Sequence, residues 1–273
     1  MMGIAEDEHR LLKRVRPYEV DFLYKYRSMN SPVLERIFSN NEIFLPAPTS
    51  FNDPFDCKPF LITHSSGLKR TEFYESLVRR RFPNATKKEV QQEVRKNPRF
   101  SKLGQRQLLD ELYNTFLKRF GLYCLTEVPD DILMWSHYSD SHRGICLQFR
   151  ADEVLTLFWE AFKVTYQEDY PVVNIMAMGT WEQFFNALAT KSTHWAYEKE
   201  RRVIKTEDEG GPGVYKFSPE LLTGVILGVH LSESDKKIIN KWISSHETPV
   251  KVFQANLNKK SFKLDIPGLN IES

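Results

Sequence analysis

Residues Trp195–Lys205 read WAYEKERRVIK and bring aromatic, acidic and basic side chains together in one short run. If the run is extended, Glu198 and Glu200 point to one face of a sheet, and Tyr197 and Lys199 point to the other. Two adjacent carboxylates resist joint ionisation, so a cationic partner or a substrate is expected between them. This predicts a strand that carries candidate catalytic acids. The alternative is an ion-pair ladder with the following cations, Arg201, Arg202 and Lys205.

Composition bounds the class of protein. The chain has 273 residues, of which 41% are hydrophobic and 13% aromatic, enough to bury a substantial core. Its net charge of +2 gives no global attraction to nucleic acid or to an anionic membrane. The cysteines, Cys57, Cys124 and Cys146, lack paired spacing, which favours a reducing cytosol over a disulfide framework or a cysteine-based zinc site. With no secretory signal and no apolar run near ~20 residues, we expect a cytoplasmic protein without membrane association.

Strand-like and helix-like patterns are interspersed along the chain, which predicts an α+β fold with a mixed β-sheet core. Ser31-Pro32 predicts the start of a helix that ends at Asn40-Asn41. Helical patterns also cover residues 175–190 and the run from Ser232 to Trp242. Runs rich in aromatic and β-branched residues predict strands at 22–26, 43–45, 122–126, 144–149, 200–205, 213–217, 224–230 and 250–254.

Residues 68–120 are predicted to form a helical insert. Thr86 and Glu89 have capping-box spacing, and Gly121 is expected as the helix stop. Residues 79–106 hold ten Lys or Arg against two acidic residues. These basic residues either bind the phosphates of a nucleic acid or form a solvated face of the helices. We divide the chain into a polar leader (1–18), a main α+β domain that includes the insert (19–231), and a C-terminal helix and strand (232–273).

Two early motifs concentrate polar and aromatic side chains. In the motif at residues 24–28, Lys25, Tyr26 and Arg27 read as a cleft floor that stacks an aromatic ligand and neutralises phosphate, or as the wet face of an ordinary strand. In F-N-D-P-F-D, residues 51–56, the Asn and Asp side chains favour a loop fixed by side chain–backbone hydrogen bonds. A cation site on the two aspartates is the less favoured interpretation.

The segment 134–144, M-W-S-H-Y-S-D-S-H-R-G, is the third concentration. His137 could form an acid–base couple with Asp130 or Asp131. Its five-residue spacing from His142 is a poor match to a helical metal-binding pair. The alternative is that the aromatic residues of this segment are core residues and His137 covers their polar side.

The four motifs Y-K-Y-R, F-N-D-P-F-D, M-W-x-H-Y and W-x-Y-E-x-E-x-R occur here in this order. Together they resemble a widespread bacterial family of domains of unknown function, over about residues 20–230. No P-loop, G-x-G-x-x-G or G-x-S-x-G motif is present. Kinase, Rossmann and α/β-hydrolase interpretations therefore lack their motifs.

A more distant resemblance is to the ADP-ribosyltransferases. The shared order is an aromatic-basic strand, a helix, a second strand, a central aromatic segment and a late E-x-E. It implies two small split sheets with NAD between them, and a triad of a first-strand His or Arg, a middle Tyr or Ser and a late Glu. This chain has no first-strand His. The matching positions are Lys25 or Arg27, Tyr138 or Ser136, and Glu200, with Glu198 as the upstream acid.

The resemblance implies cleavage of the nicotinamide–ribose bond, with Glu200 steadying the ribosyl cation. Tyr26, Trp135 or Tyr138 would stack the nicotinamide, and Arg27 would hold the pyrophosphate. The expected catalytic residues are Glu200, Glu198, Tyr138 and His137. The expected NAD-binding residues are Lys25, Tyr26, Arg27, Asn52, Asp53, Trp135 and Ser136, and no metal is expected.

This resemblance implies an NAD-cleaving ADP-ribosyltransferase-like protein with a protein or nucleic-acid target, in the role of a toxin or an anti-phage defence factor. One alternative is a nucleic-acid-binding protein or a metal-dependent nuclease that uses the basic insert, with Asp53, Asp56 and His137 at the metal. Another is a sensor or scaffold without catalysis. The glutamates discriminate, because an enzyme needs one of them open to a ligand and a scaffold needs both paired.

Overall fold

The computed structural model describes residues 20–63, 67–151, 156–175 and 180–269, so the predicted leader 1–18 lies outside the described residues. The described residues form a mixed α+β fold with one large sheet. The helices are α1 (Leu34–Ser39), α2 (Gly67–Arg81), α3 (Lys87–Lys96), α4 (Lys102–Leu117), α5 (Ile132–Tyr138), α6 (Thr180–Leu188) and α7 (Glu233–Ser244).

The strands confirm the eight predicted ones and add short ones. In chain order they are β1 (Phe22–Arg27), β2 (Glu42–Leu45), β3 (Phe60–Ile62), β4 (Gly121–Thr126), β5 (Ile145–Arg150), β6 (Phe162–Lys163), β7 (Thr165–Gln167), β8 (Val172–Asn174), β9 (Thr190–Ser192), β10 (Glu200–Lys205), β11 (Gly213–Lys216), β12 (Leu222–Leu227), β13 (Lys251–Gln254), β14 (Asn256–Leu257) and β15 (Leu264–Asp265).

Seven strands form the main sheet in the order β13-β12-β5-β1-β4-β10-β6. All neighbours are antiparallel except β12 and β13. The strands β1 and β4 are paired only at Tyr24 and Thr126, whereas β1 pairs with β5 from Phe22 to Arg27. The sheet is therefore continuous, with β13, β12, β5 and β1 on one side of this residue pair and β4, β10 and β6 on the other, which we call its two halves.

The core covers both faces of this sheet. On one face, a single cluster spans both halves and includes Leu23, Tyr123 and Val203, with α1 and α7 packed over it. On the other face there are two clusters, one for each half. The first contains Tyr26 of β1 and Trp135 of α5, and the second contains residues of α4, α6, β4 and β10. A cleft lies between these two clusters.

Two predicted helix boundaries are wrong. Ser31-Pro32 does not begin α1, because Ser31 is in a turn whose carbonyl accepts from the Leu34 amide, and the helix starts at Leu34. Gly121 does not stop a helix; it is the first residue of β4. A Cβ there would lie 2.3 Å from the carbonyl oxygen of Gly211, so close backbone approach is what requires the glycine.

Helices α2 to α4 cover the predicted insert between β3 and β4. The capping box of Thr86 and Glu89 forms at the start of α3, as predicted. The basic side chains described between residues 79 and 106 are exposed. No helix in the described ranges is long and apolar enough to cross a membrane.

Candidate functional site

A cleft with a volume of about 390 Å³ lies beside the residue pair where β1 and β4 separate. Strand β1 contributes Lys25, Tyr26 and Arg27 to it, and helix α5 contributes His137 and Tyr138. Its lining also includes Ser28, Ser31, Phe51, Asn52, Asp56, Cys124, Thr126, Met134, Lys191, Glu198 and Glu200. The volume is within the range of small-molecule sites.

The two glutamates reach the cleft by a route that differs from the predicted extended run. Residues Thr193–Glu198 form a 3₁₀ helix, and Lys199 has left-handed backbone angles of φ 40° and ψ 53°. The hydroxyl of Thr126 donates to the Glu198 carbonyl, and the Glu127 amide donates to the Lys199 carbonyl, which fixes the turn to the end of β4. The expectation that Glu198 and Glu200 share one face of a single strand is therefore wrong, although both carboxylates line the same cleft.

Five buried side chains form what we call the ionic network: Asp56, Lys191, Glu198 and Glu200, which line the cleft, and Arg202, which lies behind them. Arg202 is fully buried and donates to both oxygens of Glu200, at 2.7 and 3.0 Å, and to both oxygens of Asp56, at 2.8 and 2.9 Å. The Lys191 ammonium lies 2.5 Å from Glu198 Oε2 and 3.0 Å from Glu200 Oε2. Neither glutamate is unpaired, and each is 3% exposed.

The two glutamates differ in their partners. Glu200 is held by Arg202 on both oxygens, and the Glu200 amide donates to the Tyr166 hydroxyl. Glu198 instead accepts from the Tyr138 hydroxyl at 2.7 Å on Oε1 and from Lys191 on Oε2, and both of these partners line the cleft. Both side-chain partners of Glu198 therefore line the cleft, whereas Glu200 shares Lys191 but is held on both oxygens by Arg202, which does not line it.

The electrostatics separate the two acids further. Burial would raise the pKa of Glu200, but Arg202 and Lys191 outweigh it, and its pKa lies well below the usual value of 4.5. Burial raises the pKa of Glu198 above 4.5, and the attraction of Lys191 only partly opposes this. Burial would lower the pKa of Lys191, but Glu200, Glu198 and Asp56 raise it, so Lys191 stays protonated at neutral pH. Neighbouring carboxylates with pKa values moved in opposite directions are typical of functional sites.

The separated part of β1 brings two cations to the cleft. The Lys25 ammonium donates to the Cys124 carbonyl of β4, 2.5 Å away, across the space where the strands no longer pair. Burial, together with the nearby Arg27 charge, lowers the pKa of Lys25 to about 8. The Nε of Arg27 is buried without a hydrogen-bond partner among the described residues. Because Arg27 also lines the cleft, its guanidinium charge is suited to an anionic ligand.

Eight of the eleven predicted site residues line the cleft, namely Lys25, Tyr26, Arg27, Asn52, His137, Tyr138, Glu198 and Glu200. Tyr26 is mostly buried there: its hydroxyl donates to the Val128 carbonyl and its ring packs against Trp135. The predicted couple of His137 with Asp130 or Asp131 is not observed: Asp131 instead caps α5, and His137 contacts the rings of Tyr138 and Trp195.

Three predicted NAD-binding residues lie outside the cleft. Trp135 is fully buried in the core and its indole N–H donates to the Pro129 carbonyl, so it has no free face for a ligand. Ser136 lies on the opposite side of α5 and donates to the Ile132 carbonyl. Asp53 accepts from the Phe55 amide in the predicted turn and lines neighbouring cavities instead. The expected role of these three residues in NAD binding is therefore corrected, because their side chains do not line the cleft.

Sequence reasoning missed Lys191, which contacts both glutamates. Its signal was weak: a single lysine on a three-residue strand directly after the region predicted to be helical, 175–190. The carboxylate of Asp56 was considered for metal binding, but it is held by Arg202. In the described part of the chain, no group of three or more His, Cys, Asp or Glu side chains is placed to hold a metal ion.

Comparison with known proteins gives one match. Residues 134–203 are similar to a family described as "Protein of unknown function (DUF2971)". This range runs from α5 to β10 and includes Tyr138, Lys191, Glu198, Glu200 and Arg202. Neither a curated protein nor a solved structure matches the chain. The chain is therefore similar, over this segment, to a family of unknown function, and the description of that family names no activity.

Proposed function

We propose that this protein binds NAD in the cleft beside β1 and β4 and cleaves its nicotinamide–ribose bond, passing ADP-ribose to water or to a macromolecule. The observation that carries the proposal is the combination of two cations on the separated part of β1 with a buried acid pair across the same cleft. Lys25 and Arg27 are suited to the pyrophosphate. The acid pair is suited to a ribose that develops positive charge.

Within this proposal, Glu198 rather than Glu200 meets the substrate. The glycosidic bond breaks with its electron pair going to the nicotinamide nitrogen, which leaves a ribosyl cation. Glu198 steadies this cation and takes the proton of the attacking water or acceptor hydroxyl. A carboxyl group whose pKa is raised by burial is suited to a general base. Arg202 and Lys191 act as positioning residues, because they fix the carboxylates without facing the reacting bond.

Glu198→Gln tests the proposal. The amide still accepts from Tyr138 but cannot take a proton, so nicotinamide release from NAD should fall about 10²–10³-fold. The readout is chromatographic separation of nicotinamide after incubation with the full-length chain, with labelled NAD and cell extract added in parallel to detect acceptors. The matched control is Glu127→Gln, which removes a carboxylate that pairs with Arg201 of β10 outside the cleft.

Glu127→Gln should retain wild-type turnover. Equal nicotinamide release by wild type and Glu198→Gln would overturn the mechanism. Absence of turnover in wild type together with measurable NAD binding would favour the alternative of a sensor without catalysis. The pairing of both glutamates is also what that alternative predicts.

A further inference from the structure

The hairpin of β14 and β15 presents unusual apolar exposure. Its tip, residues 258–263, reads NKKSFK, and the Phe262 side chain is 97% exposed. Leu257, at the base of the tip, is 62% exposed. The tip is ordered by Asn258, whose side-chain oxygen accepts from the Lys260 and Ser261 amides. Phe262 and Leu257 lie against one groove, and an exposed apolar patch of this kind marks an interaction site.

Helix α5 completes this surface. Its first-turn residues Ile132 and Leu133 are 39% and 44% exposed and line, with the hairpin, a groove of about 550 Å³. The side of α5 that bears His137 and Tyr138 lines the candidate cleft instead. The apolar residues of the groove therefore play no part in the proposed NAD site.

The charge of the groove is of one sign. Lys259, Lys260 and Lys263 are exposed and line it, and no Asp or Glu is among its described lining residues. The hairpin carboxylate of Asp265 is held by the amide of Asn258, at 3.0 Å to each oxygen. The groove thus joins an apolar projection to three exposed ammonium groups, which is complementary to an anionic partner with an apolar interior.

We propose that the hairpin tip and the first turn of α5 dock on an anionic lipid bilayer, with Phe262 and Leu257 inserted at the interface and the three lysines against lipid headgroups. Apolar insertion and attraction of lysines to anionic lipid are the two contributions that give peripheral binding. This assignment differs from the sequence-based expectation of no membrane association, which rested on global charge and on spanning segments.

The composition of the surface favours a bilayer over single-stranded nucleic acid. Three of the four exposed apolar side chains, Ile132, Leu133 and Leu257, are aliphatic, whereas single-stranded nucleic acid is bound by aromatic faces that stack on bases.

The test is co-sedimentation of the full-length chain with vesicles of phosphatidylcholine alone and of phosphatidylcholine with phosphatidylserine in about a two-to-one ratio. We expect binding only to the anionic vesicles, weakened by salt. Phe262→Ala should lower the partition coefficient about tenfold, because a buried phenyl ring contributes that much to insertion. Replacing the three tip lysines by Gln should lower it by at least as much.

The basic insert supplies matched controls. Phe82→Ala removes another exposed phenyl ring beside an arginine, and Gln at Arg79, Arg80 and Arg81 removes three exposed charges. These variants should bind anionic vesicles as wild type does. The altered side chains are exposed, so equal melting temperatures will show that all variants are folded.

Three results would overturn the proposal. The first is no binding to anionic vesicles, and the second is a loss of binding caused by the insert variants instead of the hairpin variants. The third is that a fluorescent single-stranded oligonucleotide binds with the same dependence on Phe262 while vesicles do not. None of these results bears on NAD cleavage, because the hairpin lies outside the cleft.

Discussion

Arg202 is the side chain of the ionic network on which we expect the stability of the fold to depend most. It is fully buried, and its guanidinium contacts Glu200, Asp56, the Leu188 carbonyl and the Cys57 sulfur. Removing one member of a buried ion pair leaves a charge that has neither water nor a partner. Replacing Glu200 leaves the fully buried Arg202 with one carboxylate partner, Asp56, whereas replacing Glu198 leaves Lys191 with two, Glu200 and Asp56. Glu198 is therefore the sharper position for an activity test.

Arg202→Met should lower the free energy of unfolding by about 3–5 kcal/mol, because Glu200 and Asp56 lose their shared partner. Denaturant unfolding at neutral pH measures this. Arg143→Met is the control, because the Arg143–Asp140 pair is exposed, so its loss should leave the free energy of unfolding almost unchanged. A loss for Arg202→Met no greater than that for Arg143→Met would contradict the assigned role.

The effect of Arg202→Met should depend on pH. The pKa of Glu200 in the folded protein lies below its usual value of 4.5, so the folded state binds fewer protons than the unfolded state near that pH. The ion-pair contribution is therefore complete above pH 4.5 and is lost as the pH falls further. The difference between wild type and Arg202→Met should narrow in acid.

Single residues also show where sequence reasoning reaches its limit. The sequence indicated Lys25, Arg27, Glu198 and Glu200 because unusual pairs of charged and aromatic residues occur within short runs. It could not indicate Lys191, because the contacts of Lys191 with both glutamates depend on the turn at Lys199, which a sequence pattern does not reveal. Trp135 was misassigned for the opposite reason: a local pattern does not distinguish an indole that faces a ligand from one that faces the core.

At the scale of elements, strand positions were predictable and strand pairing was not. Alternation and β-branched residues gave all eight predicted strands within a few residues. The single residue pair between β1 and β4 depends on contacts that are distant in sequence, including the Lys25 ammonium on the Cys124 carbonyl. The split of the sheet implied by the resemblance to ADP-ribosyltransferases remains part of the proposal, and the divergence of these strands supports it.

The position of Arg27 at the end of β1 depends on Gly144, the residue before β5. A Cβ on Gly144 would lie 2.1 Å from the Arg27 carbonyl oxygen, so Gly144→Ala must displace the end of β1. We expect a loss of about 1–3 kcal/mol in unfolding free energy and weaker NAD binding. Calorimetric titration with NAD measures the second effect in the folded variant.

Gly213→Ala on β11 is the control for Gly144→Ala, because nothing lies within 4 Å of its added Cβ. It should bind NAD as wild type does. If Gly144→Ala binds NAD with unchanged affinity although its stability is reduced, the end of β1 does not hold the ligand.

At the scale of the whole molecule, NAD bound as proposed should stabilise the fold, because it would contact side chains on both sides of the β1–β4 residue pair. A ligand at about 100 times its dissociation constant adds about 2.7 kcal/mol to the unfolding free energy if it binds only the folded state. NAD and ADP-ribose should therefore raise the melting temperature. Orthophosphate would contact only Lys25 and Arg27, so it should raise the melting temperature less.

The stabilisation by NAD should decrease as the pH rises from 7 to 9. The pKa of Lys25 is about 8 in the free protein, so Lys25 loses the charge that meets the pyrophosphate within this range. The melting temperature with and without NAD, taken at each pH, isolates the ligand contribution from other titrations. Lys25→Arg keeps its charge throughout and should show a gain that does not change with pH. If the NAD-induced rise in the melting temperature of wild type is equally insensitive to pH, Lys25 does not contact the anionic part of the ligand. If NAD raises the melting temperature at no pH, the proposal that NAD binds in the cleft is wrong.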